Sequence, residues 1–334
     1  MRADEALMGR DMFGEVVKPD IKGILKNKFL IPPFSVLSAR DGDWQTRKRQ
    51  WLQLGIKSEL GRDAVTYQIG DKSTWQQGID DKNDKGLTFK GNVASFDYYR
   101  VKEGTRETTD TQGTSIFDPV LCELMYSWFC KDGGQILDPF CGGSVRGIVA
   151  SVMGYKYWGC DLRQEQIDAN YAQIDLCGDN KPDWVTGDAL EVVKDAPQSD
   201  FIFTCPPYGD LEVYSDDPKD ISTMDFPKFT ATLKEIIKLS CDKLRNNSFA
   251  CIVVGDYRDK QGFYRCFPQH TIKAFLDAGL KLYNEIILVT AVGSLPIRIT
   301  KQFEAGRKIG KTHQNVLVFC KGTPPRFNKD EENW

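Results

Sequence analysis

From residue 114 onwards, the sequence alternates between short apolar runs and segments with helical periodicity. The runs QILD, YKYWGCD, DFIFT and FACIVVGD are typical of strands that are buried on both faces. This alternation favours an α/β fold: a doubly wound, mostly parallel sheet covered by helices on both sides. The last two runs, NEIILVT and NVLVFC, are connected by what reads as a long loop, which predicts an antiparallel final strand. The sheet is expected to have about seven strands.

The chain divides into three regions that differ in composition and in hydrophobic periodicity. Residues 1–113 are polar and turn-rich and form an N-terminal extension, within which WQTRKRQWLQLG predicts a short helix. Residues 114–323 form the α/β domain, and residues 324–334 are predicted to be a disordered tail.

Composition excludes several classes of protein. The 334 residues are 41% apolar and 27% charged with a net charge of −3, as in soluble globular proteins. No apolar run is long enough to span a membrane, and the first residues lack the apolar core of a signal peptide, so a cytoplasmic protein is expected. The ten cysteines include no C-x-x-C pair and the chain has two histidines, so no metal site is predicted and the thiols are expected to be buried and reduced.

Candidate ligand groups follow four successive strands. In a parallel sheet the carboxyl ends of the strands share one edge, which is where ligands bind. A turn with two glycines lets the backbone approach a ligand closely, and Asp161 is placed to accept hydrogen bonds from ribose hydroxyls. Each group alone is explained by a tight turn or a helix N-cap, but four of them at one edge favour a pocket. The groups are Asp138, Pro139, Phe140, Gly142 and Gly143; Asp161 and Leu162; Asp188 and Ala189; and Cys205, Pro206, Pro207 and Tyr208.

Three motifs resemble those of a known family. DPFCGGSVRG, TCPPY and GTSIFDPVLCEL are similar to the glycine-rich, catalytic and tenth motifs of the amino-methyltransferases that methylate exocyclic amines of DNA bases. The resemblance covers about residues 114–320, and FLIPPFSVLSARDGDWQTRKRQW resembles the phage and prophage branch, whose members include restriction-modification enzymes. It implies a Rossmann-like methyltransferase fold, S-adenosylmethionine as the cofactor and double-stranded DNA as the partner.

The resemblance also assigns roles to residues. Asp138, Phe140 and Gly142 would line the methionine and ribose side of the cofactor, Asp161 would hold the ribose and Asp188 the adenine amine. Thr114, Ser115 and Phe117 would close the far side, and the cofactor site would also include Pro139, Gly143, Leu162, Ala189 and Cys205. The motif order is similar to the arrangement called gamma.

The catalytic motif would be Cys205, Pro206, Pro207 and Tyr208. The lone pair of an exocyclic amine is conjugated with the base, and two fixed acceptors draw its hydrogens out of plane. In the family these acceptors are the first side chain of the motif and the next carbonyl, here those of Cys205 and Pro206, while Tyr208 would stack on the extruded base. The sequence departs from the family at Ser144, where glycine is common, and at Cys205, because a thiol is a weak acceptor.

Two basic segments are candidates for contact with DNA phosphates. One lies between the last two strands and the other lies in the N-terminal region, where recognition or oligomer contacts are also expected; a homo-oligomer is compatible with the sequence. A merely solvated hairpin is the alternative for the first segment. The residues are Arg298, Lys301, Arg307, Lys308 and Lys311, and Arg47, Lys48 and Arg49.

Other functions stay open at this point. Cys205 is closest to serine in size, which favours N4 of cytosine slightly over N6 of adenine. A related Pro-Pro-Tyr corner occurs in enzymes that methylate RNA bases or protein amides, and a catalytically silent DNA-binding protein could keep the same fold. Cys205 could also act as a covalent nucleophile, although such thiols usually follow a proline.

Overall fold

The structure is a computed structural model, and it describes residues 24–57, 60, 66–67, 117–209, 212–293 and 295–325. The described strands are β1 (Val36–Ser38), β2 (Thr66–Tyr67), β3 (Gln135–Asp138), β4 (Lys156–Asp161), β5 (Asp183–Thr186), β6 (Ser199–Thr204), β7 (Glu212–Val213), β8 (Leu244–Val254), β9 (Lys281–Val289) and β10 (His313–Lys321). The described α-helices are α1 (Ile24–Phe29), α2 (Gly42–Gln53), α3 (Pro119–Phe129), α4 (Val145–Val152), α5 (Gln164–Tyr171), α6 (Ala189–Val192), α7 (Phe226–Lys243), α8 (Phe267–Asp277) and α9 (Leu295–Gly306).

One large sheet organises the molecule. Its strand order is β1-β9-β10-β8-β6-β3-β4-β5, and β10 runs antiparallel to both of its neighbours while the other pairs are parallel. The predicted doubly wound, mostly parallel sheet with an antiparallel last strand, the Rossmann-like methyltransferase fold, is therefore confirmed. The sheet has eight strands and not seven, because Val36–Ser38 of the N-terminal region pairs with β9.

Two apolar layers cover this sheet. Helices α2, α3 and α4 contribute buried side chains to one layer, together with Phe201, Phe203 and Val316 from the strands. Helices α7 and α8 contribute to the other layer, where Phe275 stacks on Phe319 with ring centroids 4.2 Å apart. Because both faces are covered, the strands read as nearly continuous apolar runs in the sequence.

The start of α3 follows the local sequence signals. Asp118 is the N-cap and accepts a hydrogen bond from the backbone N–H of Val120 at 2.9 Å, and Pro119 occupies the first turn, where no hydrogen bond from its nitrogen is needed. The second Asp118 oxygen accepts from the Trp44 ring N–H at 3.2 Å. The predicted short helix around Trp44 is confirmed as α2, and Trp44 and Trp51 are both buried against the α/β body.

The segment between the last two strands differs from the prediction. It was expected to be a loop, but residues Leu295–Gly306 form helix α9. Its first turn contains Pro296, and Ile297, Ile299 and Thr300 are β-branched, which lowers helix propensity without preventing a helix that has its proline in the first turn. The reading of this segment as a loop was wrong.

A two-stranded ribbon lies outside the large sheet. The backbone of β2 pairs antiparallel with β7, so Thr66–Tyr67 of the N-terminal region meets the chain shortly after the Cys205–Tyr208 corner. The boundary predicted at residue 113 lies outside the described residues, so the domain division stays a prediction. Among the described helices, none has the length and apolar character needed to cross a membrane.

Candidate active site

The four predicted groups lie at neighbouring strand ends. Strands β5, β4, β3 and β6 are adjacent in the sheet, and the strand order reverses direction between β3 and β6. Hydrogen bonds join the ends: Gly187 N–H donates to the Asp161 carbonyl at 2.9 Å, and Cys141 N–H donates to the Cys160 carbonyl at 2.9 Å. The crevice at such a reversal point is where ligands bind in open α/β sheets.

Asp138 is the centre of this edge, and its carboxylate is fully engaged within the protein. One oxygen accepts from the Thr204 hydroxyl at 2.6 Å and from the Phe140 N–H at 3.2 Å. The other accepts from Arg146 Nε at 2.5 Å and from the Tyr157 hydroxyl at 2.6 Å. The side chain is 0% exposed. We therefore regard Asp138 as a residue that positions the turn after β3 and joins it to β6, in place of the direct cofactor contact expected from the sequence.

Arg146 was missed by the sequence analysis. It lies in the first turn of α4, and its guanidinium donates to the carbonyl of Phe140 and to that of Cys141 at 2.9 Å, so it holds the glycine-rich turn from below. Burial alone would lower the pKa of Arg146, but Asp138, Tyr157 and Cys205 raise it well above its ordinary value. This permanent cation lies within electrostatic reach of the Cys205 side chain. Arg146 is the single charged residue of the helix VRGIVASV, and this pattern could have identified it as a buried, paired residue.

The turn between β3 and α4 has the backbone geometry expected of a ligand-binding loop. Gly142 has a φ of +50°, a conformation that side chains other than glycine rarely adopt, and its carbonyl accepts from the Asn170 amide at 2.7 Å. Pro139 and Gly143 are buried, while Phe140 and Gly142 are half-buried. Ser144 is the N-cap of α4 with negative φ, which removes the steric need for a glycine there.

The next two strand ends present carboxylates. Asp161 ends β4 half-buried and accepts from the Arg163 N–H at 2.9 Å, with the half-buried Leu162 between them. Asp188 is the N-cap of α6 and accepts from the Leu190 N–H at 3.0 Å, and the buried Ala189 is the first residue of that helix. Asp188 thus has a capping role; within the described residues, no hydrogen bond to its second oxygen occurs.

The rigid corner follows β6. Pro206 is buried and Cys205, Pro207 and Tyr208 are half-buried. The Tyr208 hydroxyl accepts from the Gln314 amide at 2.8 Å, and its ring contacts those of Tyr257 and Phe267 edge-on at 6.1 and 5.9 Å. Gln314 was not identified from the sequence, because its contact joins residues 106 positions apart.

Of the three residues expected on the far side of the cofactor pocket, the structure describes Phe117. Phe117 is half-buried, stacks on the Arg146 guanidinium at 4.5 Å and contacts Phe203 edge-on at 5.5 Å. It therefore lies beside the turn after β3 and the end of β6, as expected. Thr114 and Ser115 lie outside the described residues.

The N-terminal basic triplet is largely structural. Arg47 is 8% exposed and forms an ion pair with Glu123, with Nε 2.8 Å from the carboxylate, so its predicted contact with DNA phosphates is corrected. Lys48 lies 3.2 Å from the Asp118 carboxylate. Arg49 is exposed and donates to Thr46 at 3.0 Å. The helical period turns the three consecutive side chains in different directions.

The second basic segment lies on α9 and the chain that follows it. Lys301 and Arg307 are exposed, and Lys308 and Lys311 are half-buried. Burial lowers the pKa of Lys311, and burial together with the Lys311 charge lowers that of His313. Arg298 lies in α9, but its side chain is not among those described. These positions flank the end of β10 nearest to Tyr208, so the segment lies beside the Cys205–Tyr208 corner.

Within the described residues, no cluster of three or more His, Cys, Asp or Glu side chains could hold a metal ion. The buried thiols have pKa values raised by burial, as at Cys122, Cys141, Cys160 and Cys251. All ten cysteines are free.

Comparison with known proteins yields partial similarities. No family model matches the chain. A segment of 79 residues, 22% of this chain, is 38% identical to the tRNA (guanine(10)-N2)-dimethyltransferase of Pyrococcus abyssi, and the match spans 23% of that protein's length. Among solved structures, TrmN from Thermus thermophilus aligns with a TM-score of 0.44 and 15% identity, over 61% of this chain and 49% of TrmN. A TehB-like SAM-dependent methyltransferase from Corynebacterium glutamicum aligns with a TM-score of 0.38 and 18% identity, over 61% of this chain and 86% of its own.

Proposed function

We propose that this protein transfers a methyl group from S-adenosylmethionine to the exocyclic amine of a base in double-stranded DNA, at N4 of cytosine or N6 of adenine. The observation that carries the proposal is the meeting of two features across the β3/β6 reversal point. A glycine-rich turn held by Asp138 and Arg146 lies on one side, and the Pro206–Pro207 corner with Tyr208 lies on the other.

The residues present fit the proposed cofactor. The left-handed Gly142 turn offers backbone at the crevice, Asp161 offers a half-buried carboxylate for vicinal hydroxyls, and Asp188 offers one at the end of the next strand for an amine. The half-buried rings of Phe117 and Phe140 supply apolar walls on either side of the turn. When bound, S-adenosylmethionine supplies an activated methyl group attached to a sulfonium centre.

The corner is suited to hold a planar amine. The two prolines restrict the backbone, so the Pro206 carbonyl keeps a fixed direction, and no described residue donates a hydrogen bond to it. Tyr208 is fixed by Gln314, Tyr257 and Phe267, which leaves its ring little freedom and prepares it for stacking on a base. Proton loss from the methylated amine to water completes the transfer, so the chain needs to provide orientation and no strong base.

An RNA substrate is the second candidate. The Pyrococcus abyssi relative is by name a tRNA (guanine(10)-N2)-dimethyltransferase, and guanine N2 is also an exocyclic amine. The same arrangement of a fixed carbonyl and a stacking ring serves that chemistry. The similarity covers 22% of this chain, so it favours a shared reaction type more than a shared substrate.

The test is methyl transfer from S-adenosylmethionine labelled in its methyl group. The purified protein is incubated with mixed-sequence duplex DNA, with total tRNA and with a protein extract, and the labelled products are digested and identified by mass spectrometry. We expect N4-methylcytosine or N6-methyladenine in the DNA.

The outcomes separate the candidates. Label in RNA alone replaces DNA by the second candidate, and label in protein alone rejects a nucleobase substrate. Failure to bind S-adenosylmethionine in calorimetry rejects the enzymatic proposal and leaves a silent DNA-binding protein of the same fold.

A further inference from the structure

A short hairpin after β8 exposes an aromatic side chain beside the candidate active site. Because β8 neighbours β6 in the sheet, the chain that leaves β8 lies at the same edge as the Cys205–Tyr208 corner. An antiparallel bridge between Arg258 and Tyr264 closes the hairpin. Phe263, next to this bridge, is 71% exposed, which is an unfavourable position for a large apolar ring unless something covers it.

The hairpin is held rigidly by its own backbone. The Asp259 carboxylate accepts from the N–H groups of Gln261 and Phe263 at 3.0 and 2.9 Å, and Asp259 N–H donates to the Phe263 carbonyl at 2.8 Å. Gly262 takes a φ of +95° to complete the turn. The exposed ring therefore stands on a fixed support.

The base of the hairpin touches the catalytic corner. Arg265 N–H donates to the Tyr257 carbonyl at 2.9 Å, and the Tyr257 ring contacts that of Tyr208. Extended backbone advances about 3.3 Å per residue, so Phe263 is anchored roughly 7 Å along the chain from Arg265. The hairpin that carries Phe263 therefore begins next to the residues that pack on Tyr208.

Positive charge lies beside the two residues that flank Phe263 in the chain. The Arg258 guanidinium lies 4.0 Å from the centroid of Tyr264, and Lys311 Nζ lies 5.9 Å from the same centroid. Lys308 Nζ lies against Gly262, 2.7 Å from where a Cβ would stand. We call Arg258, Phe263, Tyr264, Lys308 and Lys311 the hairpin cluster. It combines the exposed Phe263 ring with cations beside the residues before and after it, which is complementary to the stacked bases and phosphates of a nucleic acid.

We propose that Phe263 is a wedge that enters the base stack of double-stranded DNA next to the target base, while Lys308 and Lys311 contact the flanking phosphates. This inference rests on the proposed duplex substrate. Extruding a base leaves a gap in the stack, and a rigid aromatic ring that fills the gap lowers the cost of extrusion. The ring also loses its contact with water in doing so.

The test uses binding and needs no knowledge of the recognition sequence. Fluorescence anisotropy measures the affinity of the protein for a perfect duplex and for the same duplex with one abasic site, where a gap already exists. We expect the wild type to prefer the gapped duplex and Phe263→Ala to lose most of that preference, by about tenfold or more. Lys308→Ala should weaken binding to both duplexes alike and reduce its salt dependence.

Leu276→Ala is the matched control, because Leu276 is 48% exposed near the end of α8, away from the hairpin, and its loss should change neither affinity. A Phe263→Ala variant that behaves like this control would overturn the wedge, as would a wild type with no affinity for duplex DNA. A gap preference that depends on Phe263, found in a protein that transfers no methyl group to any nucleic acid, would support the wedge and reject the proposed activity.

Discussion

At the scale of the residue, the carboxylate of Asp138 illustrates how a motif position can be engaged entirely by hydrogen bonds within the protein. Four protein donors surround it, and one of them, Arg146, is only 4% exposed, so water cannot replace a lost partner. The same Arg146 guanidinium binds the carbonyls of Phe140 and Cys141, so the buried charge pair is linked to the turn after β3. A residue that contacts the cofactor directly and a residue that positions the turn are therefore expected to differ in how their mutation changes stability and cofactor affinity.

We expect Asp138→Asn to destabilise the protein by about 3–5 kcal/mol, because it leaves the buried Arg146 uncompensated. Urea unfolding measures this loss. Thr204→Val removes one donor to the carboxylate and should cost about 1 kcal/mol and also weaken S-adenosylmethionine binding. Unchanged affinity in a folded Thr204→Val protein would contradict the proposed link between the Asp138 carboxylate and the cofactor site.

Cys205 supplies a second prediction at this scale. A thiol is a weak acceptor, so the Pro206 carbonyl should carry most of the amine's orientation, and Cys205→Ser should keep or raise the rate of methyl transfer. Single-turnover kinetics with the labelled cofactor measures the rate. Complete loss of transfer in a folded Cys205→Ser protein would point to covalent catalysis by the thiol.

At the scale of the element, helix α2 is joined to the α/β body by a buried polar cluster. Glu123 on α3 accepts from Arg47 Nε at 2.8 Å and from the Trp51 ring N–H at 2.7 Å, and it is 4% exposed. The basic triplet on α2 was predicted to face DNA, but burial of the apolar Trp44 and Trp51 orients the helix and turns Arg47 inwards. Packing thus decided the role of a charged residue.

Glu123→Gln should lower the free energy of unfolding by about 3–5 kcal/mol, because it leaves a buried guanidinium without its counter-charge. Chemical denaturation monitored by tryptophan fluorescence reports the change. Glu191→Gln is the control: it breaks an exposed pair with Lys194, and we expect a change under about 1 kcal/mol. Equal effects of the two variants would refute the anchoring role of Glu123.

At the scale of the whole molecule, the exposure of the cysteines shows how completely the helices cover the sheet. Seven thiols are buried, Cys177 and Cys205 are half-buried and Cys266 is exposed. Burial raises the pKa of Cys177 to about 11 and that of Cys241 to about 12, which depletes the reactive thiolate at neutral pH.

Thiol labelling of the native protein at pH 7.5 should therefore modify Cys266 first, while the buried thiols react only after unfolding. Peptide mass spectrometry after brief treatment with iodoacetamide identifies the sites, and the same treatment in urea shows that all ten thiols are reactive once exposed. Rapid native labelling at Cys141 or Cys251 would contradict the closed sheet.

Local sequence patterns predict much of this architecture. The apolar runs of β3, β4, β6 and β8, the N-cap at Asp118 and the glycine-rich turn act over a few residues. Periodicity and turn chemistry were therefore enough to predict the doubly wound sheet and to bring the four candidate groups to neighbouring strand ends. The turn at Gly142 required only local backbone freedom.

Contacts between distant parts of the chain decided the rest. Four features depend on which surfaces meet after the chain folds. They are the pairing of β1 with β9, the burial of Arg47, the enclosure of Asp138 by Thr204 and Arg146, and the hydrogen bond from Gln314 to Tyr208. The partner of a charged or polar side chain cannot be predicted from local sequence. The free energy of placing such a side chain depends on its burial and on the groups that folding brings beside it.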